Sequence, residues 1–131
     1  MTGYTLMRFI ALYFGLLMVG DTPENKGQCV GLVECWLDAN LKTHVWGDAK
    51  ALLWNADRNV YKVTENTPSN FPPLGAIVVW GATWGGGHGH TAIAVAANPE
   101  RLAVFEQNNP VGSPPVLATH DYAGVLGWIT F

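Results

Sequence analysis

A cysteine and a histidine are the residues of this sequence whose types and surroundings best fit catalysis. The apolar residues after Cys29 recur every three or four positions, which predicts an amphipathic helix beginning at the cysteine: Leu32, Val33, Trp36, Leu37 and Leu41. A cysteine attacks a carbonyl carbon as a thiolate, which the positive end of a helix dipole and a nearby imidazolium both favour. The free N–H groups of a first helical turn can also hold an oxyanion. Position alone fits a buried structural thiol equally well.

His90 is the histidine best placed to act as the base. It opens the apolar run 91–95 and follows the glycine-rich loop 85–89. A core strand would hold its ring, while the glycines would let a substrate approach. His88 lies within that loop and lacks such support, and we interpret His44 and His120, in polar stretches, as ordinary surface residues.

A catalytic histidine also needs a third group that fixes its tautomer and the orientation of its ring. If the strands predicted over 91–97 and 102–106 form a hairpin, the end of the second strand returns to the height of His90. Glu106 and Asn108 share one face of an extended chain, so either of them could accept the Nδ1–H of His90. A polar strand end in solvent is the competing interpretation.

The elements that must position these residues fall into two groups along the chain. Helix patterns come first and strand patterns follow a loop: helices over 5–19, 29–41 and 47–55, a loop over 56–73, and strands over 76–80, 91–97, 102–106 and 125–131. This order is typical of an α+β domain, with helices packed on one side of an antiparallel sheet. The chain contains no repeat or linker signal, so we predict a single domain over residues 1–131.

Composition and charge argue against several classes of protein. The formal net charge is −3 and no cluster of Lys and Arg occurs, so nothing predicts binding to nucleic acid or to an anionic membrane. A hydrophobic share of 49% with 13% charged residues argues against disorder. The apolar stretch 6–19 is shorter than the ~20 residues of a membrane span and lacks a small-residue cleavage site. We favour a buried helix there, and a signal peptide stays open as the alternative.

Cys29 and Cys35 are not expected to form a disulfide. On one helix, a separation of six residues gives a rise of about 9 Å, which exceeds the roughly 7 Å limit between bridged α-carbons. At least one free thiol fits a reducing compartment or a thiol kept for its chemistry.

Several short segments along the chain occur in an order that is more specific than any one of them. They are Gly27-Gln28-Cys29-Val30-Gly31-Leu32-Val33, Val45-Trp46-Gly47-Asp48-Ala49, Gly75-Ala76-Ile77-Val78-Val79-Trp80, Gly89-His90-Thr91-Ala92-Ile93-Ala94-Val95, Phe105-Glu106-Gln107-Asn108 and Gly127-Trp128-Ile129. Together they resemble the CHAP domain, the family of cysteine, histidine-dependent amidohydrolases/peptidases. The resemblance spans almost the whole chain.

The resemblance implies a papain-like fold and hydrolysis of an amide bond in the peptide part of bacterial peptidoglycan. By position, Cys29 would be the nucleophile, His90 the base, Glu106 the residue that orients it and Asn108 a further polar member of the site. Gln28 would help the Cys29 N–H line the oxyanion pocket. The bond could be the N-acetylmuramoyl–L-alanine amide or a peptide bond.

Such domains belong to phage endolysins or to bacterial cell-wall hydrolases, and the apolar first helix looks more like the phage proteins. We therefore expect a phage-encoded monomer that stays in the host cytoplasm before it reaches the wall; a secreted bacterial protein is the alternative. We expect no cofactor and no metal. Some phage members bind calcium through aspartates before the cysteine and one two residues after it. Here that later position is Gly31, and only Asp21 and Glu24 lie upstream.

Two other functions compete with thiol hydrolysis. His88 and His90, with His120 or His44 and with Cys29, could bind zinc in a zinc-dependent peptidoglycan peptidase. A degenerate domain could instead bind the cell wall or a virion partner without cutting.

Three side chains near the predicted cleft are candidates for contact with substrate: Trp80, Trp84 and His88. For the two tryptophans, filling the core or capping the sheet is the stronger interpretation.

Overall fold

The computed structural model describes residues 3–131 of the chain, with side chains described from residue 5 onward. The helices and strands are α1 (Gly3–Tyr13), α2 (Cys29–Ala39), α3 (Leu52–Asn55), β1 (Lys62–Glu65), β2 (Ile77–Trp80), β3 (His90–Ala97), β4 (Leu102–Glu106), β5 (Val116–His120) and β6 (Val125–Thr130). Short 3₁₀ turns occupy Ala49–Ala51 and Gly85–Gly87. The predicted domain over 1–131 also includes residues 1 and 2, which lie outside the described residues.

The six strands form one antiparallel sheet in the order β1-β6-β2-β3-β4-β5. The predicted hairpin is present: β3 pairs with β4, with Ile93 opposite Phe105. Because helices precede an antiparallel sheet and pack on it, the α+β prediction is confirmed.

Both faces of the sheet are buried, and the alternation of side chains along each strand divides the core in two. On the helix side, side chains of α1 and α2 pack on one face of the sheet, among them Leu6, Phe9, Leu32, Trp36, Ile77, Val79, Ile93, Phe105 and Ile129. The indole Nε1–H of Trp36 donates to the Gly75 carbonyl at 2.9 Å. On the other face lies a second cluster, which contains Val78, Trp80, Ala92, Ala94, Val104 and Trp128. The second cluster supports the strand ends that carry the candidate base.

The first helix is shorter than predicted. The pattern over 5–19 predicts one helix, but α1 ends at Tyr13, and Gly15 and Met18 have φ angles of 76° and 61° that an α-helix cannot accommodate. Only one face of the helix is buried: Leu6 and Phe9 are nearly inaccessible, whereas Met7 is exposed. Within the described residues, no helix combines the length and apolar character that crossing a bilayer requires.

Two strands were not predicted, and both lie at the edges of the sheet. β1 falls within the predicted loop 56–73, which was therefore wrong over those four residues, and β5 lies in a stretch without an apolar run. No residue of either strand is fully buried, because an edge strand packs on one side only. The hydrophobic pattern that marks β2 and β3 is consequently absent from them.

Candidate active site

Cys29 is the first residue of α2, and Gln28 before it is extended, with φ −87° and ψ 159°. The cysteine is half-buried and borders a cleft of about 510 Å³, whose wall also includes Gly89, His90 and Asn108. Both cysteines are free, as expected from their spacing. The thiol therefore faces an open cleft from the start of a helix.

His90 and Glu106 meet across the β3–β4 hairpin. The Nε2 atom of His90 lies 3.0 Å from Glu106 Oε1, and both side chains are at least nine-tenths buried. The side chain of Cys29 is also within hydrogen-bonding reach of the His90 ring. The ring nitrogen that faces Glu106 is Nε2, whereas the sequence analysis expected Nδ1 there. Nδ1 is therefore the ring nitrogen that remains for the thiol. The structure brings Glu106, and not Asn108, to His90.

The electrostatics of this group favour a charged histidine. Burial opposes protonation of His90, but hydrogen bonds to Cys29 and Glu106 outweigh it and raise the pKa of His90 to about 9. Burial likewise opposes ionisation of Glu106, but hydrogen bonds from His120 and His90 lower its pKa to about 2. At neutral pH an imidazolium therefore lies between a carboxylate and the thiol.

His120 was predicted to be an ordinary surface residue, and this prediction was wrong. Its side chain is only 17% exposed, and its Nε2 lies 2.8 Å from Glu106 Oε1. The ring also meets Trp80 and Trp84 edge-on, with centroid distances of 5.6 and 5.1 Å. His44 is also not an ordinary surface residue, because its ring is 23% exposed and lies among acidic side chains.

The three side chains predicted to contact substrate differ in how far they are exposed. Trp80 is completely buried and packs on His90 at a centroid distance of 5.1 Å, so its prediction as a substrate contact was wrong. Trp84 is half-buried, and its ring stacks on His90 at 5.7 Å with 16° between the planes. His88 is exposed at the cleft, where its Nδ1 lies 3.1 Å from Asp48 Oδ2.

Gln107 is a buried residue that connects the sheet to the segment before Cys29, and the sequence analysis did not identify it. Its Nε2 donates to the carbonyls of Val19 at 2.8 Å and Gln28 at 2.7 Å, and its Oε1 accepts from the Val19 N–H at 3.0 Å. Gln107 directly follows β4, and continuing the alternation of that strand by one residue turns its side chain away from the face of Glu106, toward the helix side. In the sequence, this alternation was the one available indication that Gln107 points toward the helices.

Gln28 and Asn108 border the cleft, but their side-chain amides are engaged elsewhere. Gln28 Nε2 donates to the Glu24 carbonyl at 3.0 Å. Asn108 has a φ of 66°, and its Oδ1 accepts from the Gly112 N–H at 2.7 Å. Both therefore help to form the walls of the cleft through local turns.

The residues of the zinc alternative do not converge. Across residues 5–131, the group of three or more potential metal ligands found within contact range consists of Asp21, Asp38 and His44. Neither His88 nor His90 belongs to it. Gly31 occupies the position two residues after the cysteine, where some phage members have a calcium-binding aspartate. A Cβ there would lie 2.1 Å from the Asn25 carbonyl oxygen, so no aspartate fits.

Comparison with known proteins gives one consistent family. A family model described as the CHAP domain matches residues 19–108. Endolysin PlyTW of Staphylococcus phage Twort is 31% identical over 97 residues, which are 67% of this chain and 21% of that protein.

Solved endolysin structures share the fold. The wild-type endolysin LysIME-EF1 superposes with a TM-score of 0.77 at 26% identity, over 97% of this chain and 62% of that one. Ly7917 gives a TM-score of 0.72 at 23% identity, over 99% of this chain and 62% of that chain. The expected papain-like α+β fold is thereby confirmed. The chain spans 62% of these two endolysin chains and about a fifth of PlyTW.

Proposed function

The chain belongs to the CHAP domain family, and we propose on this basis that it hydrolyses an amide bond in the peptide part of bacterial peptidoglycan. The observation that carries the proposal is that His90, which is hydrogen-bonded to Glu106 at 3.0 Å, lies within reach of the Cys29 side chain at the wall of an open cleft. The similarity to phage and other endolysins supports peptidoglycan as the substrate. The relatives are longer, so the assignment concerns this chain's own site.

In the proposed reaction, the Cys29 thiolate forms a C–S bond to the carbonyl carbon, and the carbonyl electron pair moves to oxygen. When this tetrahedral intermediate collapses, the C–N bond breaks and the His90 imidazolium gives its proton to the departing amine. Water then attacks the thioester while His90 takes its proton. Breakage of the C–S bond releases a carboxylic acid and regenerates the thiolate.

Glu106 is proposed to hold His90 in the orientation that the reaction needs. Its carboxylate accepts from Nε2, which leaves Nδ1 directed to the thiol and stabilises the imidazolium. Trp80 below the ring and Trp84 stacked on it restrict its movement further. These three are positioning residues, because none of them reaches the reacting atoms.

The oxyanion is proposed to form beside the first N–H groups of α2, which have no acceptor within the helix. Cys29 supplies its own backbone N–H. The Gln28 side chain contributes only if its amide leaves the Glu24 carbonyl, because Nε2 donates there. Asn108 and His88 form polar parts of the cleft wall.

We further propose that residues 1–131 form one catalytic unit that acts as a monomer on peptidoglycan. The similarity to PlyTW supports a phage origin, and with it synthesis in the host cytoplasm before contact with the wall. The low net charge and the lack of a basic cluster argue against nucleic acid as a partner.

Purified peptidoglycan tests this function. We expect the protein to release new amine ends and soluble fragments, iodoacetamide to stop the release, and a chelator to leave it unchanged. Mass spectrometry of the fragments identifies the bond that is cut. Release that survives alkylation but stops with a chelator would support the zinc peptidase instead. Binding to the wall without new amine ends would support a non-catalytic module.

A further inference from the structure

A second group of titratable side chains lies away from the cleft, where the segment before α2, the last turn of α2 and the segment after it meet. His44 Nε2 lies 2.7 Å from Asp21 Oδ2 and 2.9 Å from Asp38 Oδ1. The potential ligand atoms of these three residues all lie within 4.8 Å of one another. The mechanism proposed above uses none of them.

The two carboxylates do not share the imidazole proton equally. The Nε2–H of His44 donates to Asp38, whereas Asp21 Oδ2 is buried and accepts no hydrogen bond of normal geometry from the described residues. The other oxygen of Asp21 is held by the amide of Asn25, whose Nδ2 donates to it at 2.7 Å. Asp21 is therefore fixed with one free oxygen directed at the imidazole nitrogen.

A third acidic residue lies behind the imidazole. Glu34 precedes Asp38 by one turn of α2 and is 2% exposed. The backbone N–H of Val45 lies near its carboxylate, but neither carboxylate oxygen accepts a hydrogen bond of normal geometry from the described residues. Its Oε2 lies 3.7 Å from His44 Nδ1, on the opposite side of the ring from the two aspartates.

A single proton is a poor match for this arrangement. Even with His44 protonated, its one positive charge faces the carboxylates of Asp21, Asp38 and Glu34. A divalent cation at Nε2 would balance both aspartates and give the free oxygen of Asp21 a partner. Nδ1 would then carry the ring proton and direct it toward Glu34, the carboxylate–histidine–metal pattern of many protein sites.

We propose that Asp21, Asp38 and His44 bind a divalent transition-metal ion of the zinc class, with Glu34 orienting the histidine. An imidazole with two carboxylates suits zinc, whereas calcium takes six to eight oxygen ligands. In a tetrahedral site with metal–ligand distances of about 2.0–2.2 Å, the ligand atoms lie about 3.3–3.6 Å apart. The two aspartate oxygens, now 2.7 and 2.9 Å from His44 Nε2, would therefore each move away from it by roughly half an ångström.

The proposed site shares Asp21 with the segment before the cysteine that binds calcium in some phage members, but its other two ligands, Asp38 and His44, come from the end of α2 and the segment after it. The position two residues after the cysteine cannot contribute, because no side chain fits at Gly31.

The metal would connect the two ends of the segment that carries the nucleophile. Asp21 lies before Cys29, and Asp38 and His44 lie at and beyond the end of the helix that Cys29 begins. A metal bound in the folded state stabilises that state by mass action. We therefore expect the ion to stabilise the protein and to have no part in the chemical step.

Zinc titration by calorimetry tests the site in a protein with Cys29→Ser and Cys35→Ser, in which no thiol can bind the metal. We expect one zinc per chain and a higher thermal-unfolding midpoint with zinc, but no response to calcium. Adding His44→Gln should abolish both effects. Adding Glu34→Gln should weaken zinc binding by about 10- to 100-fold, as expected when a group behind a metal-binding histidine is removed.

His88→Gln in the same background is the matched control, because His88 also contacts an aspartate but has no second carboxylate at its ring. It should bind zinc as the parent does. The proposal is overturned if the parent binds no zinc, if folded His44→Gln binds it unchanged, or if His88→Gln loses it. Circular dichroism of each variant establishes that it is folded.

Discussion

The Nε2 atom of His120 lies 2.8 Å from Glu106 Oε1, the same oxygen that accepts from His90 Nε2 at 3.0 Å. One carboxylate oxygen thus contacts two histidines, and the bond from His120 contributes to the low pKa of Glu106. His120 therefore keeps Glu106 ionised and in place without approaching the thiol. It acts on the proposed reaction as a positioning residue.

Replacing His120 tests that role. His120→Phe keeps a ring against Trp80 and Trp84 but removes the N–H, and we expect kcat to fall about tenfold, the equivalent of one charge-assisted hydrogen bond. The acid limb of the pH–rate profile should move to higher pH, because the pKa of Glu106 rises. His120→Gln, which can still donate, should stay near the wild-type rate. A packing role alone predicts an unchanged profile for His120→Phe.

The stability of the protein should depend on pH through Glu106 and His90. The pKa of Glu106 is lowered to about 2, so its stabilising contribution is present above its ordinary value near ~4.3 and is lost as pH falls toward 2. The pKa of His90 is raised to about 9, so its contribution is complete below ~6.5 and is lost as pH rises through 9.

Urea unfolding between pH 6 and pH 10 measures the His90 contribution. The wild type should lose up to about 3 kcal/mol more than His90→Gln over this range. Equal slopes for the two proteins would mean that His90 is not held as an imidazolium. The variant is the control for every other group that titrates in the same interval.

Gln107 should be important for both stability and rate. Gln107→Leu leaves the Val19 N–H without its acceptor, whereas the Val19 and Gln28 carbonyls each keep one backbone donor, so we expect a cost of about 1–3 kcal/mol. The folded fraction should also turn over more slowly, because the Gln28 carbonyl adjoins the nucleophile. Gln107→Glu keeps the acceptor for Val19 and should be intermediate. Equal unfolding free energies for Gln107→Leu and wild type would contradict this role.

Asn108 should matter through its backbone conformation. At a φ of 66°, alanine costs roughly 1–2 kcal/mol, whereas glycine is unstrained. We expect Asn108→Ala to raise KM and lower the thermal midpoint, and Asn108→Gly to keep kcat closer to wild type. If the Asn108 amide takes part in the chemistry, both variants should lose kcat equally. Steady-state kinetics on one peptidoglycan preparation separates the two cases.

Local sequence patterns predicted the parts of this molecule that depend on a single element or on adjacent elements. The apolar spacing after Cys29 predicted a helix that begins at the cysteine, and the short turn between β3 and β4 brought Glu106 to the height of His90. Both follow from periodicity and strand pairing. The same reasoning left Glu106 and Asn108 as alternatives, because it does not give the positive φ that turns Asn108 aside.

The remaining features depend on contacts between distant segments. Gln107 bonds to Val19 across 88 residues, and His120 belongs to an edge strand with no apolar run to mark it. Trp80 was a candidate for substrate contact because the sequence does not reveal the second core cluster, which buries it. Asp21 and His44 likewise meet only when the segments on either side of α2 fold together.

The proposed reaction depends most on Cys29 as the nucleophile, and the chain contains its own control in Cys35, a half-buried thiol whose pKa burial raises to about 11. The decisive measurement is the rate of amine release from purified peptidoglycan by folded Cys29→Ser and Cys35→Ser proteins. We predict no release above the blank for Cys29→Ser and nearly the wild-type rate for Cys35→Ser. Wild-type release by folded Cys29→Ser would contradict the account.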